Sequence, residues 1–462
     1  MEQIGFDPAN AAEALRQLPH TPAVFALYGA DAHAEPYIGR TPNLRARLER
    51  LLQPSPKHPR RLQLAGRVRR IEYCLTGSDF ESLLAQFSLL EEVYGLKSLE
   101  RMHLRMPAFI RYLGGNPYPR ITVTNRPSLR ESGWSYGPFP SRMAAERYAE
   151  EALKLFLLRR CTFELDPDPS YPGCVYSEMK MCLAPCFKGC TDERYAEESA
   201  AVESFFASRG ESRLVTLRAQ REQASANLEF ESAAAIHAQV QRVESVRALA
   251  SELVRPLSRL RAVILQASAR PGEVSVFLFA DGRLRGPAAF STLGMRIQNE
   301  QSGSSSLFAQ PMALEPVLEE EVAGTGTGEQ GLEQQGIGNG EQGTENSPSQ
   351  SEGALKGHDF SRVKESPHDD GALAPAPARI PRGILESRME AALAALMSPE
   401  AAPSSTIRQG HLALLKRWYY RPEARRAGEI FFPDPQGHWP VKALLRGAGR
   451  IAAKMAAPAG LH

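Results

Sequence analysis

The chain has 462 residues, 42% of them apolar, and 55 Lys and Arg against 53 Asp and Glu give a formal charge of +2. That length suits about three domains. No apolar run approaches the ~20 residues of a membrane-spanning helix, and MEQIGFDPAN has neither the basic start nor the apolar stretch of a signal peptide. A cytoplasmic protein without membrane attachment is therefore expected. The small net charge hides a segregation. Between Arg40 and Arg70 stand ten Lys or Arg against the single acid Glu49, whereas residues 299 to 378 carry fourteen acids against three Lys or Arg. A basic face of this kind suits DNA, where each phosphate contact adds salt-sensitive affinity; a merely solvated arginine face is the other reading.

In chain order, Ala11 to Leu18 reads as a short helix. Val24, Phe25, Leu27 and Tyr28, then Tyr37-Ile38-Gly39, read as the strands of a hairpin. Thr41-Pro42-Asn43 opens a helix with Leu44, Leu48, Leu51 and Leu52 on one side and Arg45, Arg47 and Arg50 around it. Arginine clasps phosphate through two parallel hydrogen bonds and keeps its charge, and Tyr37 adds a hydroxyl. Arg60 and Arg61 follow in a basic, turn-rich loop. After a strand around Arg70 to Leu75, Ser78 or Asp79 caps a helix with Phe80, Leu83, Leu84, Phe87 and Leu90 on one face and Gln86 at its border. Phe109 to Asn125 reads as two strands about a Gly-Gly-Asn-Pro turn, and Ser141 to Leu157 as a helix.

Cys161, Cys174, Cys182 and Cys186 are separated by twelve, seven and three residues, and Cys190 lies three further on. In a chain without an export signal, such clustering favours a metal site over disulfides. Thiolates suit zinc or iron-sulfur; free structural thiols are the alternative. Isolated Cys74 reads as a core residue of a strand.

Asp192 to Val254 is helical and almost free of Gly and Pro. Within it, Leu228, Phe230, Glu231, Ala233 and Ala234 could receive a partner helix, since small alanines permit close approach and the two larger residues anchor it. His237 reads as a packed histidine on the apolar face. Arg261 to Thr292 turns to strands, with an Asp-Gly turn. The Gly, Gln, Glu and Ser stretch that follows cannot bury enough apolar area to order itself, with Leu307 to Val322 a transient helix at most. From Ile380 come two helices, the strand GEIFFP and a short basic helix, expected to pack with the 261 to 292 strands. Trp418, Tyr419 and Tyr420, beside Lys416, Arg417 and Arg421, either stack on bases or fill a core. The fold class is α+β multidomain.

Several of these stretches resemble one family. Ala23-Val24-Phe25 and Tyr37-Ile38-Gly39 stand where GIY-YIG nuclease domains carry their two motifs. RRC, PGCVYSEMKMCLAPC and ERY look like the cysteine segment of UvrC, the excision-repair subunit that cuts damaged DNA and itself begins with a GIY-YIG domain. ASANLEFESAAAIHAQV is similar to the UVR hairpin through which UvrC meets UvrB, although His237 and Ala238 replace the usual Arg-Asp. The layout resembles the UvrC/Cho group without the RNase-H-like and helix-hairpin-helix domains of full UvrC. It implies a GIY-YIG-like domain at 18–105, a connector at 106–160, a cysteine-cluster segment at 161–210, a UVR hairpin at 211–253, strands at 254–296, a disordered acidic linker at 297–378 and a helix and strand region at 379–462.

By resemblance, Tyr37, Arg40 and Arg47 occupy catalytic positions, with Arg45, Arg50, Arg60 and Arg61 toward DNA. Cys161, Cys174, Cys182 and Cys186 correspond to the ligands of a [4Fe-4S] cluster, with zinc as alternative. Three family positions are degenerate: Phe25 replaces a tyrosine, Gln86 the glutamate that binds Mg²⁺ or Mn²⁺, and Ser98 an asparagine. A catalytic divalent metal needs an anionic oxygen ligand. Gln86 supplies none, and Glu81, five residues back, lies ~140° around the helix. The resemblance thus implies an excision-repair component that binds DNA and UvrB, either nicking one strand near lesions or serving as a catalytically impaired accessory.

Overall fold

The computed structural model describes residues 1–31, 33–53, 64–126, 134–295, 380–398 and 401–456. Arg60, Arg61, the expected linker and its transient helix lie outside the described residues. The architecture is α+β, built on three four-stranded antiparallel sheets.

The first sheet contains β1 (Glu2–Gly5), β2 (Ala23–Gly29), β3 (Tyr37–Thr41) and β4 (Val68–Leu75) in the order β1-β4-β2-β3. Side chains alternate between its faces. Ala23, Phe25 and Leu27 meet α1 (Ala11–Arg16) and α2 (Leu44–Leu52) in one core with Leu15, Leu44, Leu48 and Leu52. Val24 and Ala26, equally buried, belong to the opposite face, which is served by α3 (Asp79–Tyr94). The short α4 (Ser98–Arg101) closes this part. Cys74 is half-buried in β4, its thiol donating to the Leu75 carbonyl.

The second sheet joins β5 (Ala108–Leu113), β6 (Arg120–Thr124), β7 (Ser135–Phe139) and later β8 (Arg255–Pro256) in the order β6-β5-β7-β8. On it pack α5 (Arg142–Leu153) and, beyond the one-turn α6 (Val175–Glu178), α7 (Asp192–Ala207), α8 (Glu211–Ala226) and α9 (Phe230–Ala248). Tyr136, Tyr148, Phe205 and Phe206 form its aromatic centre. The antiparallel pair α8 and α9 is anchored there by Leu214, Leu217, Val240, Val243 and Val246.

The third sheet, order β11-β10-β9-β12, takes β9 (Ala262–Ala267), β10 (Glu273–Ala280) and β11 (Arg283–Ser291) from before residues 296–379 and β12 (Glu429–Phe431) from after them. Both faces are buried. Val263, Leu265, Val274, Val276 and Leu278 meet α10 (Arg382–Leu396) and α12 (Val441–Ala456). Ile264, Phe277 and Phe279 meet α11 (Ser405–Tyr419) and the apolar stripe of α3. The expected short terminal helix is a 16-residue amphipathic one, with Leu444, Ala448 and Ile451 inward.

The α3 stripe is thus shared with the third sheet. At the crossing of α3 and α11, a Cβ on Gly410 would fall 2.0 Å from Phe87 Cζ, so only glycine lets the helices approach this closely. The aromatic run of α11 serves packing rather than base stacking. Trp418 is buried and its Nε1 donates to the Ala427 carbonyl at 2.9 Å, while Tyr420 donates to the Pro138 carbonyl at 2.8 Å. Those contacts use the indole and phenol groups as buried polar tips on apolar bodies.

Candidate nucleic-acid interface

The β2–β3 hairpin brings part of the expected set together. Gly39 pairs with Phe25, and a Cβ on Gly39 would fall 2.8 Å from Phe25 Cζ, so the glycine lets the end of that ring reach β3. Tyr37 stands two residues away on the same face, its ring centroid 6.2 Å from that of Phe25. From α2, Arg47 donates to the Tyr37 hydroxyl at 3.2 Å. Asn43 caps α2 by accepting from Ala46 N–H at 3.0 Å, fixing where its arginines project. Arg45 is partly spent on Glu49 at 3.1 Å, and Arg50 is exposed.

Arg40 does not join Tyr37 and Arg47. An odd register offset puts it on the opposite face of β3. There it pairs with Asp79, which also accepts from Arg421 at 2.6 Å. Ser78 caps α3, accepting from Glu81 N–H at 3.1 Å, and this leaves the Asp79 carboxylate for the two arginines. Burial alone would raise the Asp79 carboxyl; the Arg421 and Arg40 guanidinia outweigh it and hold its pKa below the ordinary carboxylate range. Beside this clasp opens a cleft of about 510 Å³, bounded by Arg40, Thr41, Ser78, Asp79 and Ser82.

The degenerate positions supply little chemistry. Phe25 is fully buried and Gln86 half-buried. Ser98 is fully buried at the start of α4, its hydroxyl without a partner. Glu81 is buried and accepts from Gly77 N–H at 2.9 Å; burial raises its pKa despite that bond. It is committed to the turn before α3.

In the cysteine segment, Cys186 is buried and Cys161, Cys174 and Cys182 are half-buried, all as free thiols. Burial raises the Cys182 thiol, and negative charge on Cys174, Cys186 or Cys161 raises it further. The Ala184 N–H lies against Cys182, the Phe187 N–H against Cys186, and Arg159 Nη1 is 3.5 Å from Cys161 Sγ. Lys180, Ala184 and Lys188 all take left-handed backbone, φ 54 to 58°, which winds the segment into tight turns. Non-glycine residues there cost about 1–3 kcal/mol each. Four thiols with N–H and guanidinium donors around them fit thiolate-held metal chemistry. Among the described residues, however, no three His, Cys, Asp or Glu side chains are arranged in metal-holding geometry.

At the far end of the α8–α9 hairpin, Leu228 turns the chain with φ 62°. It is 72% exposed and Phe230 65%, with Glu231 and Ala234 also exposed and Ala233 half-buried. His237 corrects the expectation of a packed histidine. It is exposed, one ring nitrogen 3.1 Å from Gln241 Nε2, while its neighbour Ile236 and then Val240 turn to the core.

Residues 108–205 match the UvrC/Cho excinuclease middle domain, and residues 211–246 match the UvrB/UvrC motif. Through these two segments the chain is similar to the UvrC/Cho excinuclease family. Its curated relatives include the UvrABC system protein C of Alcanivorax borkumensis, 27% identical over 62% of this chain and 46% of that protein. Those of Carboxydothermus hydrogenoformans and Symbiobacterium thermophilum are 26% and 28% identical, over 61% and 64% of this chain and 46% of each relative. The matched region thus spans about half the length of these relatives. No solved structure matches the chain. None of the helices among the described residues is long and apolar enough to cross a membrane.

Proposed function

We propose that this protein is a component of bacterial nucleotide excision repair that holds DNA phosphates through its first domain and docks UvrB through the α8–α9 hairpin, without efficient cutting by the first domain. The exposed Leu228 and Phe230 at the tip of the segment matching the UvrB/UvrC motif carry the reading, since two large apolar side chains left in water at a hairpin end suit a partner surface. Tyr37, Arg47 and Arg50, with Arg45 beside them, are the phosphate-holding groups. Gln86 and Phe25 argue for impaired chemistry, because neither an anionic metal ligand nor a proton-transferring hydroxyl stands in their places. Cys161, Cys174, Cys182 and Cys186 would hold a [4Fe-4S] cluster, or zinc in its place, which ties the middle segment together.

The test is nicking of an end-labelled, lesion-bearing duplex with UvrA, UvrB and Mn²⁺, comparing the native protein with Gln86→Glu. Retention by immobilised UvrB is measured in parallel. The native protein is expected to bind UvrB and leave the duplex intact, with nicking emerging in the variant. Cutting by the native protein at a fixed distance from the lesion overturns the impaired-chemistry reading, and failure to bind UvrB overturns the docking.

A further inference from the structure

A second basic region lies at the surface, apart from the arginines of α2. Where the turn between α7 and α8 meets the 255–261 segment and the loop after β12, the surface encloses a cavity of about 980 Å³. Arg209, Arg247, Arg255, Arg259 and Arg261 line it. Three carboxylates share the wall, and each is at least partly engaged elsewhere. Glu211 pairs with Arg247 at 2.9 Å and also reaches Arg218, Asp281 lies 4.0 Å from Arg285, and Asp434 accepts from His438 N–H at 2.8 Å.

Two of the guanidinia are crowded together. Arg209 sits on left-handed backbone (φ 54°), donates to the Ser251 carbonyl at 3.3 Å and leaves its buried Nε without a partner. Arg255 donates to the Glu252 carbonyl at 2.8 Å and stacks on the Phe432 ring at 4.0 Å. Burial and the facing Arg209 charge pull the Arg255 pKa down to about 10, so Arg255 stays cationic at neutral pH. Arg259 and Arg261 flank the buried Leu260 and project from it, exposed. Like charges held together in a concave, half-buried space repel, and an anion placed among them turns that repulsion into attraction. Five guanidinia against three carboxylates leave the lining a net charge of +2, more than one phosphate diester carries, and the cavity exceeds the room that one phosphate needs.

We propose that this cavity is a second phosphate-binding site, taking consecutive phosphates of a nucleic-acid strand. It is separate from the hairpin and helix of the first domain, so the chain would hold a strand at two places. Arg209 and Arg255 supply the deep contacts, Arg259 and Arg261 the entrance.

The experiment is arginine modification by phenylglyoxal on the full chain, read peptide by peptide in the mass spectrometer. It is run with oligodeoxythymidylate, with inorganic phosphate and with no addition. The oligonucleotide is expected to protect Arg259 and Arg261 severalfold. Protection confined to Arg45, Arg47 and Arg50 overturns this site while leaving the first-domain reading standing. Protection of Arg259 and Arg261 by inorganic phosphate but not by oligonucleotide overturns the strand as ligand. In equilibrium binding, Arg259→Ala/Arg261→Ala should lower the slope of log affinity against log salt by about 1.4, from ~0.7 per phosphate contact on a single strand. Both side chains are exposed, so the native fold should be kept, and an unchanged slope overturns the proposal.

Discussion

The Arg421 guanidinium donates to the Asp79 carboxylate at 2.6 Å, joining residues 342 positions apart. Asp79 begins α3 and also holds Arg40 of β3, so the end of the chain is fastened to the same edge that carries the hairpin. The clasp engages Arg40 and ties the first sheet to the segment that follows α11.

Replacing Asp79 by Ala should release both arginines. The carboxylate is 41% exposed, so solvent screening keeps the stability loss to no more than about 1 kcal/mol. DNA affinity at low salt should rise severalfold, with a steeper salt dependence. Fluorescence anisotropy on a labelled duplex measures both, and a fall in affinity would show that the clasp itself presents the arginines. Because the Asp79 pKa is depressed in the fold, its contribution to stability is full above the ordinary value near 3.9 and is lost as pH falls through the depressed one.

Gly410→Ala should cost about 1–3 kcal/mol, measured by denaturant unfolding, since the added methyl lands on Phe87 in a packed core. Adding Phe87→Leu to the same chain should recover part of the loss. A Gly410→Ala protein as stable as the native one would mean that α3 and α11 separate freely.

His411 gives a second pH dependence. Its ring is buried and its Nδ1 accepts from Leu284 N–H at 2.9 Å; burial, then the Arg283 charge, brings its pKa down to about 3. The unfolded chain takes up a proton near pH 6.5 while the fold refuses it, so stability should decline from about 6.5 toward 3. Thermal midpoints across that range check the slope. His411→Gln should flatten it, whereas a slope equal to the native one would assign the acid sensitivity to the carboxylates.

Leu228→Asp and Phe230→Ala should each leave the unfolding midpoint within about 0.5 kcal/mol of native, because both side chains are exposed. Retention by immobilised UvrB should fall at least tenfold. Loss of stability without loss of retention would place the partner surface elsewhere.

Cys186→Ser and Cys190→Ser test the proposed cluster and the place of Cys190 outside it. Metal content and visible absorbance of the purified protein should fall in the first and persist in the second. Equal loss in both would bring Cys190 into the ligand set.

Much of the fold was legible because its signals are local. The β-branched and aromatic runs at Val24 to Tyr28 and Tyr37 to Gly39 specified the hairpin, and the spacing from Phe80 to Leu90 specified α3. The segregation of Tyr37 from Arg40 was also present in the sequence, as an odd offset along a strand. Other features had no local trace. His237 repeats at the same spacing as residues that are buried, yet its own side chain is exposed. Trp418 and Tyr420 stand in a basic run that suits base stacking, and only packing against β7, α3 and the third sheet turns them inward.

By itself the sequence determined the α+β elements, the clustering of five cysteines within thirty residues, and the helical hairpin with its apolar turn. Each depends on residue type and on neighbours a few positions away, where periodicity and side-chain chemistry act directly. The tertiary structure decided that β12 completes the third sheet, that α3 is shared between two sheets, that Asp79 joins Arg40 to Arg421, and that five arginines between residues 209 and 261 face one cavity. Those pairings arise from close packing of elements tens to hundreds of residues apart, and no local propensity encodes which charges it will bring together.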